Sequence, residues 1–192
     1  MGNGGMMENS FWVYLLYLAF AIVLFAGIFT LIIIKIRNRG KGKVSRKSIR
    51  CGNISMLFDK SGNVVIIPDV KDKFGAGRAL DTPAFLDVPY NAAKLGQAVL
   101  CSMKLCESGT PGSDGELMSR LGFIGWKEFS EGRRNISVHY HDGYGIVFNT
   151  TKRKDDGAYQ FNHPGFEKVM SADATDKELG EMILTLLPRC KA

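Results

Sequence analysis

His139-Tyr-His141 sets two imidazoles two residues apart, on one side of any strand that contains them. Two neutral imidazoles are half of a tetrahedral metal site, and His163 could add a third ligand. Solvent-facing histidines open to a partner are the preferred reading, and neither a metal nor a cofactor is expected. The cysteines, Cys51, Cys101, Cys106 and Cys190, form no CxxC pair, and Cys101 and Cys106 lack the usual zinc spacing. A nucleophilic thiol needs an adjacent base, yet Cys106 and Cys190 close apolar helical stripes, which favours burial. Gly75-Ala-Gly77-Arg78 hints at a phosphate cradle, but a bend before a strand is the simpler account. Asp155 and Asp156, with Lys152, Arg153 and Lys154, read as a solvated loop. These residues suggest no catalytic constellation, and the expectation is a protein that is not an enzyme.

The elements that hold these residues come in two copies. KLGQAVLCSMKLC from Lys94 is matched by ELGEMILTLLPRC from Glu178. Upstream, GNISMLFDKSGNVVII from Gly52 is matched by RNISVHYHDGYGIVF from Arg134, and VKDKFGAGRAL from Val70 by TKRKDDGAYQF from Thr151. Pro83-x-Phe85 corresponds to Pro164-x-Phe166. Matches in this order indicate an internal duplication of about 55 residues per copy, a size marginal for a core of its own.

Ile54, Met56 and Phe58 alternate with Ser55 and Leu57; Ile136, Val138 and Tyr140 alternate with Ser137, His139 and His141. Period two predicts strands with one buried face. Asp59-Lys-Ser-Gly62 and His141-Asp-Gly143 carry turn chemistry, so each strand should fold back as a hairpin into 64–67 and 146–148. Third strands are expected at 77–80 and 158–161. Leu179, Met182, Ile183, Leu186 and Leu187 make one helical stripe, and Leu95, Ala98, Val99 and Met103 make the other. Asp173 or Thr175 can cap the second helix. Trp126 and Phe129 suggest a short lead-in helix over an edge of the sheet.

Phe11 to Ile34 contains no charge and no proline, and as a helix it would run about 36 Å, enough to cross a bilayer. Lys35, Arg37, Arg39, Lys41, Lys43, Arg46, Lys47 and Arg50 follow it, against only Glu8 before it. By the positive-inside rule the N-terminus should lie outside and the rest in the cytoplasm, anchored at the inner membrane. Lys35, Arg37, Arg39, Lys41 and Lys43 would then sit at the membrane surface. These basic residues also account for the net charge of +6; from Cys51 onward the chain has 17 Lys and Arg against 18 Asp and Glu. A nucleic-acid partner is therefore not expected. The anticipated class is α+β, an N-terminal single transmembrane helix followed by two tandem βββα-type repeats packed together. The anticipated organisation is 1–10 extracytoplasmic, 11–34 membrane span, 35–51 tether, 52–106 first repeat, 107–118 flexible linker, and 119–192 second repeat with its lead-in helix.

The second repeat, on the residues GFIGWKEFSEGRRNISVHYHDGYGIVF, TKRKDDGAYQF and TDKELGEMILTLL, resembles the immunity proteins of bacterial contact-dependent growth inhibition systems. That resemblance implies a small α+β protein that binds a cognate toxin and blocks it without catalysis. The exposed residues expected to meet such a partner are His139, His141, Asp142 and Tyr144 around the hairpin, with Arg153, Asp155 and Asp156 on the next loop. The alternative is a structural or regulatory anchor of a membrane complex.

Overall fold

The computed structural model describes residues 52–71, 74, 77–107 and 109–192. The expected span at 11–34, the tether at 35–51 and the basic residues from Lys35 to Lys43 lie outside them. The described elements are β1 (Asn53–Phe58), β2 (Val64–Lys71), β3 (Gly77–Ala79), β4 (Ala84–Leu86), α1 (Ala92–Leu105), α2 (Asp114–Leu121), α3 (Trp126–Phe129), β5 (Arg134–His141), β6 (Gly145–Arg153), β7 (Tyr159–Phe161), β8 (Lys168–Met170) and α4 (Asp176–Leu186), which ends in a 3-10 turn at Leu187–Arg189.

Eight strands form one sheet in the order β3-β2-β1-β5-β6-β7, with β4 also on β2 and β8 also on β6. Every strand pair in it is antiparallel. This corrects the anticipated fold class. The halves are not separate βββα units packed together, because β1 hydrogen-bonds directly to β5 and makes the sheet continuous. Each half also has a fourth strand, β4 or β8, too short to show periodicity. No helix among the described residues is long and apolar enough to cross a membrane.

The pairing is reciprocal. Ser55 sits opposite Ser137, its own counterpart in the other half, with Asn53 opposite His139 and Phe58 opposite Arg134. A local two-fold axis therefore runs between the two serines. The helices obey the same axis. A Cβ on Gly96 would lie 1.8 Å from the Asp176 carbonyl oxygen, and one on Gly180 would lie 1.9 Å from that of Ala92. No residue with a Cβ fits at either point, so the repeated Leu-Gly exists to let α1 and α4 cross at backbone contact.

α1 and α4 cover one face of the sheet. Alternation turns Ile54, Met56, Phe58, Val64, Ile66, Ile136, Val138, Ile146 and Phe148 inward against Leu95, Val99, Met103, Leu179, Ile183 and Leu186, all buried. Burying each such side chain contributes about 1.5–3 kcal/mol of transfer free energy. Asn91 caps α1, and Thr175 with Glu178 forms a capping box on α4.

On the opposite, outer face, Leu57, Val65 and Ile67 are buried by Leu117 and Met118 of α2 and by Phe129 of α3. α2 starts inside the stretch anticipated as flexible linker, because Ser113 and Glu116 form a capping box there. α3 lies over the face rather than the edge of the sheet. Trp126 Nε1 donates to the Gly157 carbonyl at 3.0 Å, and Tyr159 Oη donates to the Arg133 carbonyl at 2.8 Å. Burial pushes the Tyr159 hydroxyl up to about 12, so it stays a donor at every physiological pH.

Candidate functional site

β5 and β6 meet at the turn His141-Asp142-Gly143-Tyr144, closed by Tyr144 N–H donating to the His141 carbonyl at 3.1 Å. Gly145 follows with φ +93°, and a Cβ there would lie 2.4 Å from the Met170 carbonyl, so the end of β8 presses against the hairpin. This contact holds the C-terminal end of β8 at the tip.

Four rings meet there. Phe166, from the loop before β8, lies 5.5 Å from His139, 5.5 Å from His141 and 5.6 Å from Tyr144, and His141 lies 4.8 Å from Tyr144. All four contacts are edge-to-face, the favourable arrangement for ring quadrupoles. The cluster still faces solvent, with Tyr144 59% and Phe166 42% exposed, and Val169 beside it 45% exposed. Exposed aromatic area already locked by its neighbours can meet a partner at small entropic cost.

The sheet extends this surface. One register row reads Val169, Val147, His139, Asn53 and Asp69 across five strands. Asn53 Nδ2 donates to Asp69 Oδ2 at 3.2 Å. Burial pushes the Asp69 carboxyl up to about 6. Burial, and then the neighbouring charge of His141, hold His139 below the usual imidazole range. His139 therefore presents a neutral ring at neutral pH.

Behind the rings, Glu167 anchors the loop. Its carboxylate accepts from Thr150 N–H at 3.0 Å and from the Thr150 hydroxyl, and pairs with Arg189 Nη1 at 3.1 Å. Desolvation raises the Glu167 carboxyl, but these donors outweigh it and its pKa falls below the usual value. Asn162 Nδ2 donates to Thr150 Oγ1 at 2.9 Å and to the Arg189 carbonyl at 3.1 Å, closing the network.

The sequence-derived candidates thus separate into two groups. His139, His141, Asp142 and Tyr144 share the tip of the β5–β6 hairpin. Arg153, Asp155 and Asp156 lie at the other end of β6, about 26 Å away at strand rise from Gly145. Arg153 is tied down there, donating to Ser130 Oγ at 3.0 Å and to the Lys127 carbonyl at 3.0 Å. Asp156 accepts from Ala158 N–H at 2.9 Å as a turn residue, and Asp155 is exposed. Phe166 is the member of the patch that sequence reasoning missed. Its signal in the sequence is the match of Pro164-x-Phe166 to Pro83-x-Phe85.

The described residues hold no group of three or more His, Cys, Asp and Glu placed to bind a metal. Burial pushes the Cys190 thiol up to about 11, so it is protonated and poorly nucleophilic at neutral pH. Cys106 is likewise buried, whereas Cys101 is exposed on α1.

No protein-family model matches the chain, and no curated protein matches it. Solved structures match in fold. A chain of the CdiA-CT/CdiI toxin and immunity complex from Yersinia pseudotuberculosis has a TM-score of 0.56 at 10% identity, covering 74% of this chain and 99% of that one. A protein of unknown function from Neisseria meningitidis has a TM-score of 0.57 at 12% identity, covering 74% and 97%. At these identities the likeness is one of fold.

Proposed function

We propose that residues 52–192 form a non-catalytic binding module that neutralises a protein toxin, as an immunity protein does. The observation that carries this reading is the fold likeness, which spans nearly the whole length of a chain taken from a toxin and immunity complex. The patch of His139, His141, Tyr144 and Phe166 supports it. Blockade needs a stiff surface with aromatic anchors and no reactive group, and here the rings are braced by Gly145 packing and the Glu167 network. Asp142 adds an exposed charge at the rim.

The test is co-expression of the full chain with the toxin-like product encoded beside its gene. The expected result is rescued growth and a complex that survives purification. Tyr144→Ala with Phe166→Ala should weaken that complex at least tenfold while leaving the melting temperature in place. Rescue without any complex, or a complex indifferent to both substitutions, sinks the assignment of the patch.

A further inference from the structure

Asp69 lies on the outer face of the sheet, in the register row that carries His139 and, between them, Asn53. At strand spacing the carboxylate is about 10 Å from His139. Tyr140 N–H donates to the Gly52 carbonyl at 2.8 Å, so Asn53 and His139 form a non-hydrogen-bonded pair, in which the side chains stand close. The row is therefore continuous from the rings to the carboxylate. A carboxylate can accept about four hydrogen bonds. Asp69 is half-buried and accepts one, from the neutral Asn53 amide. Among the described residues no ion pair includes it, and Lys71, two residues on along the same face, is exposed. Burial alone raises its pKa to about 6, so the group is still ionised at neutral pH. The frame does not require this charge. The equivalent position in the second half is Thr151, a buried neutral residue whose hydroxyl donates to the Asn135 carbonyl at 2.7 Å.

We infer that Asp69 receives a basic side chain of the toxin, an arginine or a lysine, and so extends the contact surface from the ring patch across β5 and β1 to β2. This rests on the toxin-binding reading and names the chemistry of the partner at one point of it. A half-desolvated carboxylate with open acceptor sites has lost water without gaining a counter-charge. A guanidinium or ammonium group supplies both the charge and the donors. A partner with an apolar or acidic group at this point would bury the carboxylate unpaired, so the position also rejects wrong toxins. Asn53 holds the carboxylate in place without neutralising it.

Asp69→Asn keeps the shape of the side chain and removes its charge. In the full chain, mixed with the toxin-like product encoded beside its gene, it should raise the dissociation constant of the complex about tenfold or more at neutral pH. The free variant should be no less stable than the wild type in urea, which separates a lost contact from a damaged fold. In an alanine scan of the toxin's arginines and lysines, one substitution should weaken the wild-type complex about tenfold and the Asp69→Asn complex by less than about twofold. A wild-type complex that breaks on Tyr144→Ala with Phe166→Ala but not on Asp69→Asn, or a scan with no coupled cation, overturns the inference and leaves the toxin-binding reading standing. So does an Asp69→Asn chain that is destabilised, because the carboxylate would then serve the fold. No complex with the wild-type chain overturns both.

Discussion

The outer face of the sheet is built in two ways. In the first half, Leu57, Val65 and Ile67 are apolar and lie buried beneath α2 and α3. In the second half, the positions that correspond to them hold His139, Val147 and Asn149. Val147 and Asn149 are buried there too, but His139 is only partly covered, beside a loop that carries the exposed Phe166. The inner face shows no such divergence, since both halves bury the same pattern under equivalent helices. A symmetric frame thus supports two unlike surfaces. One closes a second small core, and the other keeps aromatic area in water.

The sharpest way to break this contrast is to remove one ring from each surface. Phe129→Ala deletes a side chain 1% exposed, packed on Phe123 at 5.2 Å and Trp126 at 5.5 Å with the Arg133 guanidinium 4.8 Å from its ring centre. It should cost about 3–5 kcal/mol in urea unfolding. Phe166→Ala should cost at most about 0.5 kcal/mol and show its effect only in binding. Similar losses from both would mean that the patch is ordinary core.

Next in size is a test of the frame. Gly96→Ala and Gly180→Ala each force a methyl into a backbone carbonyl across the helix crossing. Each should cost about 2–3 kcal/mol, and the two costs should agree within about 0.5 kcal/mol. A marked inequality would show that the two halves carry the crossing unequally.

The smallest effect lies at Asp69, where the polar row ends. Its folded pKa of about 6 exceeds the ordinary aspartate value of 3.8, so the folded state binds the extra proton and ionisation opposes folding. The penalty is full above about pH 6 and is relieved as pH falls from there towards 4. Asp69→Asn should therefore add about 1–2 kcal/mol at pH 7.5, discounted for partial solvent access, and nothing near pH 4. Denaturant melts at the two pH values check the sign.

Much of this was legible in the chain. Period-two alternation marks β1 and β5, the helical stripes mark α1 and α4, and Asn-Ile-Ser with Leu-Gly marks the repetition. β4 and β8 escaped because each short segment is defined only by its pairing with β2 or β6. A repeat too small for its own core allows the halves to join as one continuous sheet, but which strands join them escaped, because contacts between residues some 80 apart leave no local pattern. The site was half legible. The hairpin residues were identifiable from turn chemistry, whereas Phe166 joins them through a loop whose path only tertiary packing decides. Arg153 looked like a contact group because charge in a loop suggests exposure, and its bonds to Ser130 and Lys127 come from another part of the chain.

Ser55 facing Ser137 has one more implication. When the pairing about these serines is reciprocal, Asn53 meeting His139 as Leu57 meets Asn135, the bonds that join the halves do not require them to be covalently continuous. A chain nicked between α1 and α2 should stay assembled, and the halves expressed as separate polypeptides should find each other and restore the fold. The molecule is in effect a fused dimer, and that connection is a natural place to split it for a complementation reporter.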